Sequence, residues 1–257
     1  GHRPALWAGP AVTPMSSPSP CAAETRGAVG NSETGLLLFV DSPGRAMAHW
    51  QVATLSGDMA RAVVSAGHQD TVTSLAGAAD TTVYLAPGRE DDAGYVAELA
   101  ARTGVGCLDV PAVTGLARWD AGLSILFNRC RHPKILCADG QVLEFYAEDL
   151  ERARRKLELY EIVLGRAGDN DCWLIGMHGH SEFLEQVKAG DGGVLHALLE
   201  AGVSQGQQVS LLDTKDTLRK EPDLQHLQFL ARRPQHPCLR RILDGEGLLM
   251  PPAPREA

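Results

Sequence analysis

The sequence predicts an α/β fold: a single three-layer domain with a mostly parallel mixed sheet and helices on both faces. Three observations carry this reading. Short apolar runs without polar alternation, such as Leu36, Leu37, Leu38, Phe39 and Val40, recur along the chain and read as strands buried on both faces. Stretches with helical spacing separate them. The 257 residues, 44% hydrophobic and 22% charged, suffice for one large core, and with only 5 Phe, 4 Trp and 4 Tyr that core must be mainly aliphatic.

Residues 1–34 hold Pro4, Pro10, Pro14, Pro18 and Pro20 with interspersed serines. Such a composition cannot bury enough surface to offset the entropy of ordering, so a disordered arm is expected. Met15 is a candidate native start. The first strand ends in Asp41-Ser42-Pro43-Gly44, a turn signal. Met47, Trp50, Met59 and Val63 predict a helix over 45–67, with Gly67 as its stop. A second strand over 81–86 closes at Pro87-Gly88, and a helix runs from Asp91 or Asp92 to Arg102. A third strand is expected over 107–110. Leu116, Trp119, Leu123 and Leu126 suggest a helix within 111–131.

Asp139-Gly140 between the strand-like runs 133–138 and 141–145 predicts a hairpin. Leu150, Ala153, Leu157, Tyr160 and Leu164 predict a helix over 147–164. A strand over 172–176, a helix over 194–199, a strand over 208–212 and a polar helical stretch over 218–243 complete the series. The domain is expected to span 35–250, with a disordered tail over 251–257.

The chain carries 24 Lys+Arg against 32 Asp+Glu, net −8, which argues against a nucleic-acid partner. No run of 18 apolar residues predicts a transmembrane segment. The six cysteines are scattered without Cys-x-x-Cys spacing and predict a reducing compartment rather than a disulfide framework.

In an open α/β sheet, ligands bind beyond the carboxyl ends of the strands. Three polar strand ends are candidates. One is Asp41-Ser42, with Arg45 and His49 beyond it; another is Arg89-Glu90-Asp91-Asp92. The third, His178-Gly179-His180-Ser181-Glu182, follows a buried strand, and its glycine lets the chain turn so that the two rings can converge. Neutral imidazoles there can act as general base or hold a divalent metal, and Glu182 can orient one ring; the alternative is a polar loop at the sheet edge. Asp213 and Asp216, beyond the last strand, are weaker candidates. Gly-x-Gly-x-x-Gly, Walker, Gly-x-Ser-x-Gly and His-Glu-x-x-His motifs are absent.

Cys172-Trp-Leu-Ile-Gly-Met-His-Gly-His180, then Gly193-Val-Leu-His-Ala-Leu-Leu-Glu-Ala-Gly202 and Gln208-Val-Ser-Leu-Leu212, resemble the closing module of the erythromycin-esterase, ChaN and TIKI/TraB superfamily. That resemblance implies a hydrolase-like α/β domain with His178 and His180 as its base or metal ligands. Asp41 and His49 take the place of the opening acidic residue and histidine, although the family glutamate is absent. The Ser/Pro-rich arm resembles in composition the export signals of bacterial type III effectors. Together these imply a secreted effector or toxin domain that acts in the host-cell cytoplasm on a host protein. Two alternatives stand beside it: a non-enzymatic interaction module on the same fold, and a cytoplasmic α/β enzyme of another kind.

Overall fold

The structure, a computed structural model, describes residues 32–48, 50, 55–187, 193–218 and 220–249, with Asp169 as backbone only. Most of the expected arm, the whole expected tail and His49 therefore lie outside the described residues. Residues 32–34, assigned above to the arm, already belong to the body: Thr34 opens the first strand, and the Ser32 hydroxyl lies 2.6 Å from that of Thr82.

In chain order the elements are β1 (Thr34–Val40), α1 (Pro43–Ala46), α2 (Gly57–Ala76), β2 (Thr81–Pro87), α3 (Ala93–Thr103), β3 (Gly106–Cys107), α4 (Leu116–Asn128) and β4 (Lys134–Asp139). There follow α5 (Ala147–Lys156), β5 (Ile162–Ala167), β6 (Cys172–His178), α6 (Val194–Ser204), β7 (Val209–Lys215), α7 (Leu224–Ala231) and α8 (Pro237–Gly245). The seven strands form one sheet in the order β3-β2-β1-β4-β6-β5-β7. All neighbours pair in parallel except β6, which runs against both β4 and β5. The fold is thus the expected single α/β domain with a mostly parallel mixed sheet. Among the described residues no helix is long and apolar enough to cross a membrane.

The strands are apolar throughout because alternate side chains feed two cores. Leu36, Leu38 and Val40 of β1 pack on one face with Val72 and Leu75 of α2 and Val96 and Leu99 of α3. Leu37 and Phe39 pack on the other with Leu123 and Leu126 of α4 and Leu195 and Leu198 of α6. A third cluster joins Val63 and Val64 of α2 to Leu227, Leu230, Leu239 and Leu243 of α7 and α8. Asp70 of α2 clamps that layer in place. Its carboxylate accepts the Cys238 and Leu239 N–H groups, each at 2.9 Å, so a residue distant in sequence caps α8.

Several expected elements differ. Asp139-Gly140 makes no hairpin. β4 is a central strand ending there, and the Gly140 N–H donates to the Phe39 carbonyl at 2.8 Å, extending the contact with β1. A Cβ at Gly140 would stand 2.7 Å from Val40 Cγ2 and 2.9 Å from the Phe39 oxygen, so the glycine serves close approach rather than a tight turn. The expected helix over 147–164 stops at Lys156, and Leu164 lies in β5, where pairing with both β6 and β7 outweighs a helical spacing that was coincidental. The expected helix over 45–67 becomes α1 and α2. Ser56 Oγ accepts the Met59 N–H at 3.3 Å to start α2, which runs on through Gly67 to Ala76; Gly67 gives room for Leu143, with which a Cβ there would collide. The third strand pairs only through Gly106 and Cys107, and the 218–243 stretch divides into α7 and α8.

Candidate functional site

β1, β2 and β4 end side by side, and the loops leaving them enclose a cleft of about 630 Å³. Its lining includes Asp41 and Arg45 after β1, Gly88, Arg89 and Glu90 after β2, Gly115, Arg118 and Trp119 at the start of α4, Asp139 at the end of β4 and Gln141 after it. Two of the three polar strand ends singled out from sequence therefore do converge, and they are the first and second.

Asp92 holds these two loops together. Its carboxylate is 1% exposed and accepts the Ser42 N–H at 3.0 Å, the Arg89 N–H at 3.1 Å, and Arg45 Nε at 3.2 and 3.0 Å on its two oxygens. This contact raises the Arg45 pKa, so its guanidinium stays charged at the cleft wall. The Gly88 N–H donates to the Val40 carbonyl at 2.8 Å, and a Cβ on Gly88 would collide with Asp41 Oδ1. Glycine at this position is what lets the second loop lie against the first carboxylate.

Arg118 supplies the other cation. It donates to the carbonyls of Pro87, Pro111 and Val113, and its guanidinium lies 5.4 Å from the centre of the Phe39 ring. No carboxylate among the described residues forms an ion pair with it, and its buried Nε lacks an acceptor. Burial lowers its pKa, while Asp41, Asp92 and Asp109 nearby favour the charged form. A charged fork fixed in the cleft wall by backbone carbonyls suits an anionic ligand.

Asp139 closes the cleft from β4. It is 6% exposed, and its Oδ1 accepts the Gln141 N–H at 2.9 Å. Sequence reading missed it by treating Asp139-Gly140 as a turn. The available signal was the one that marked Asp41: an aspartate directly after an apolar strand.

The third strand end lies elsewhere. Because β6 is antiparallel, His178 pairs with Lys134, the first residue of β4, whereas Asp41 lies beyond Phe39, which pairs with Asp139, the last. The length of β4, roughly 20 Å at 3.3 Å per residue, separates Asp41 from His178. His178 is exposed, and Glu182 is exposed and hydrogen-bonds neither histidine. His180 turns to α4, where its Nε2 lies 3.1 Å from Asp120 Oδ1. The expected grouping of Asp41, His178, His180 and Glu182 therefore does not form, for the reason that one strand runs backwards. No three His, Cys, Asp or Glu side chains among the described residues converge as a metal cage, at His178 and His180 or elsewhere. Asp213 of β7 pairs with Arg152.

No family model and no curated protein matches the chain. Among solved structures, a candidate nucleotide-diphospho-sugar transferase from Desulfovibrio desulfuricans G20 superposes with a TM-score of 0.69 at 18% identity, over 85% of this chain and 97% of that one. A 4-diphosphocytidyl-2C-methyl-D-erythritol synthase from Anaerococcus prevotii matches at a TM-score of 0.49 and 11% identity, over 71% and 87%. The manganese complex of Rv0371c from Mycobacterium tuberculosis matches at 0.42 and 15%, over 78% and 98%. The first of these likenesses shows the fold. It overturns the resemblance to the erythromycin-esterase, ChaN and TIKI/TraB group, and with it the hydrolase, effector and toxin readings that depended on that resemblance.

Proposed function

We propose that this chain is a transferase that takes its donor as a nucleotide phosphate, bound in the cleft beyond β1, β2 and β4. The observation that carries the reading is Arg118, a cation in the cleft wall held by backbone carbonyls and without an ion-pair partner among the described residues. The fold shared with the D. desulfuricans protein supports it. So does the position of the cleft, since ligands of open α/β sheets bind where parallel strands end. Its volume suits a small-molecule ligand.

The chemistry follows from charge. An acceptor oxygen attacks either the α-phosphorus of a nucleoside triphosphate, releasing pyrophosphate, or the anomeric carbon of a nucleotide sugar, releasing the nucleoside diphosphate. In both, the leaving phosphate gains negative charge, which Arg118 and Arg45 are placed to stabilise. A divalent cation would be shared with donor phosphates, a mode that needs only one or two protein carboxylates, and Asp139, Asp41 and Glu90 are the carboxylates that line this cleft. Bound there, it would supply further positive charge to the donor phosphates. The reading goes with a cytoplasmic location, where nucleotide donors are found.

Isothermal titration with magnesium tests the proposal, one arm using CTP, UTP, ATP and GTP and the other UDP-glucose and GDP-mannose. Binding in one arm, weakened at least tenfold by Arg118→Met, is the expected result and identifies the donor type. Absence of binding in both arms, or binding indifferent to Arg118→Met, overturns it.

A further inference from the structure

We propose that Gln141, held by His68, is the positioning residue that fixes the Asp41 and Asp139 loops of the cleft relative to each other. The inference takes from the nucleotide-donor reading only the identity of what those loops bind.

Gln141 is 1% exposed, and each of its polar groups has a place. Its backbone N–H donates to Asp139 Oδ1 at 2.9 Å. Its side-chain Nε2 donates to the Asp41 carbonyl at 3.5 Å, and its Oε1 lies 3.2 Å from His68 Nε2. Its own carbonyl accepts the Leu218 N–H at 2.9 Å. One residue thus contacts both acidic loops.

The orientation of the amide follows from its partners. The Asp41 carbonyl only accepts, so the NH2 end faces it and Oε1 faces His68. His68 Nε2 must then carry the proton, and Nδ1, now an acceptor, receives the Tyr95 hydroxyl at 2.8 Å. A relay results: Tyr95 on α3 donates to His68 on α2, His68 to Gln141, and Gln141 to Asp41. Burial lowers the His68 pKa to about 4, so the ring is neutral near pH 7 and this tautomer persists. His68 and Tyr95 do not line the cleft, so they act only through Gln141.

Two variants test the relay. His68→Phe removes the donor to Oε1; His68→Gln keeps a donor of similar reach. The first readout is hydrogen exchange of the Gln141 side-chain amide by NMR, its signal assigned by its loss in Gln141→Met. The second is affinity for CTP with magnesium; the third is melting temperature. We expect His68→Phe to speed amide exchange at least tenfold and weaken CTP roughly ten- to a hundredfold, the scale of a displaced binding group. His68→Gln should restore both, with melting temperatures that do not follow the affinities. Unchanged amide exchange in His68→Phe overturns the proposal, as does unchanged affinity where the wild type binds CTP. If the wild type binds no nucleotide, the nucleotide-donor reading fails, and amide exchange alone decides this proposal. If His68→Phe does not fold, Gln141→Met takes its place with the affinity readout, and retained affinity overturns the proposal.

Discussion

Arg45 and Asp92, 47 residues apart in sequence, meet at the cleft with Arg45 Nε donating to both carboxylate oxygens, at 3.2 and 3.0 Å. The pair joins the loop after β1 to the loop after β2, and the same carboxylate also accepts one backbone N–H from each. The result is a cleft wall organised before any ligand arrives.

Removing that carboxylate leaves the Ser42 and Arg89 N–H groups without their acceptor and Arg45 without its partner. Asp92→Ala should therefore cost about 2–3 kcal/mol in urea denaturation, the scale of orphaned buried donors beside a broken, partly buried ion pair. A loss under about 0.5 kcal/mol would show that the two loops are held by other contacts.

Two glycines of the cleft should respond differently to a methyl group. Gly88→Ala collides with the movable carboxyl of Asp41 and only touches the Val40 carbonyl, at 3.4 Å, so folding should change by less than about 1 kcal/mol while ligand affinity falls. Gly140→Ala meets the Phe39 carbonyl, which is backbone, and Val40, and should cost about 1–3 kcal/mol. Thermal melts beside nucleotide titrations separate the two cases.

His68 sets a pH dependence of stability. Its folded pKa, about 4, lies below its ordinary 6.5 because burial disfavours the charged ring. The unfolded chain therefore takes up a proton first as pH falls. The contribution of neutral His68 is complete above pH 6.5 and disappears between pH 6.5 and 4, amounting to roughly 3 kcal/mol. Burial lowers His236 as well, so the useful measurement is wild type against His68→Gln. The variant should lose less stability over that interval, and parallel curves would refute the assignment.

His178→Ala and His180→Ala examine the other end of the sheet. His178 is exposed, so its loss should change stability by less than about 0.5 kcal/mol. His180→Ala gives up the contact with Asp120 and should cost about 1 kcal/mol. Neither should alter nucleotide affinity at the cleft; a tenfold loss in either variant would place these histidines in the site after all.

Much of the architecture was legible in the chain. Continuous apolar runs at β1, β2, β4 and β6 revealed strands covered on both faces, and Asp41, Arg45 and the 89–92 segment were visible as polar groups at strand ends. Asp139 was hidden by its own neighbour, since Asp-Gly is a hairpin signal unless the preceding strand is central. Arg118 carried no motif at all: its meaning comes from the three carbonyls and the ring around it. Gln141 looked like an ordinary strand residue, and only its burial against His68 and the loop of Asp41 gives it a role.

Local pattern revealed the type of most elements, because burial on both faces leaves an unbroken apolar run and helices leave a stripe, but it read the start of β5 as helix and 141–145 as a strand. Strand direction was beyond it. A buried strand reads the same whether it runs with or against its neighbours, as the side-chain alternation is identical in both. The pairing of β6 with β4 and β5, which sets His178 against Lys134, shows that β6 is reversed, and that one reversal moves the histidine-rich strand end across the sheet from the aspartates. The cleft belongs to the strands that run together, and which strands those are is settled by long-range pairing that no local segment records.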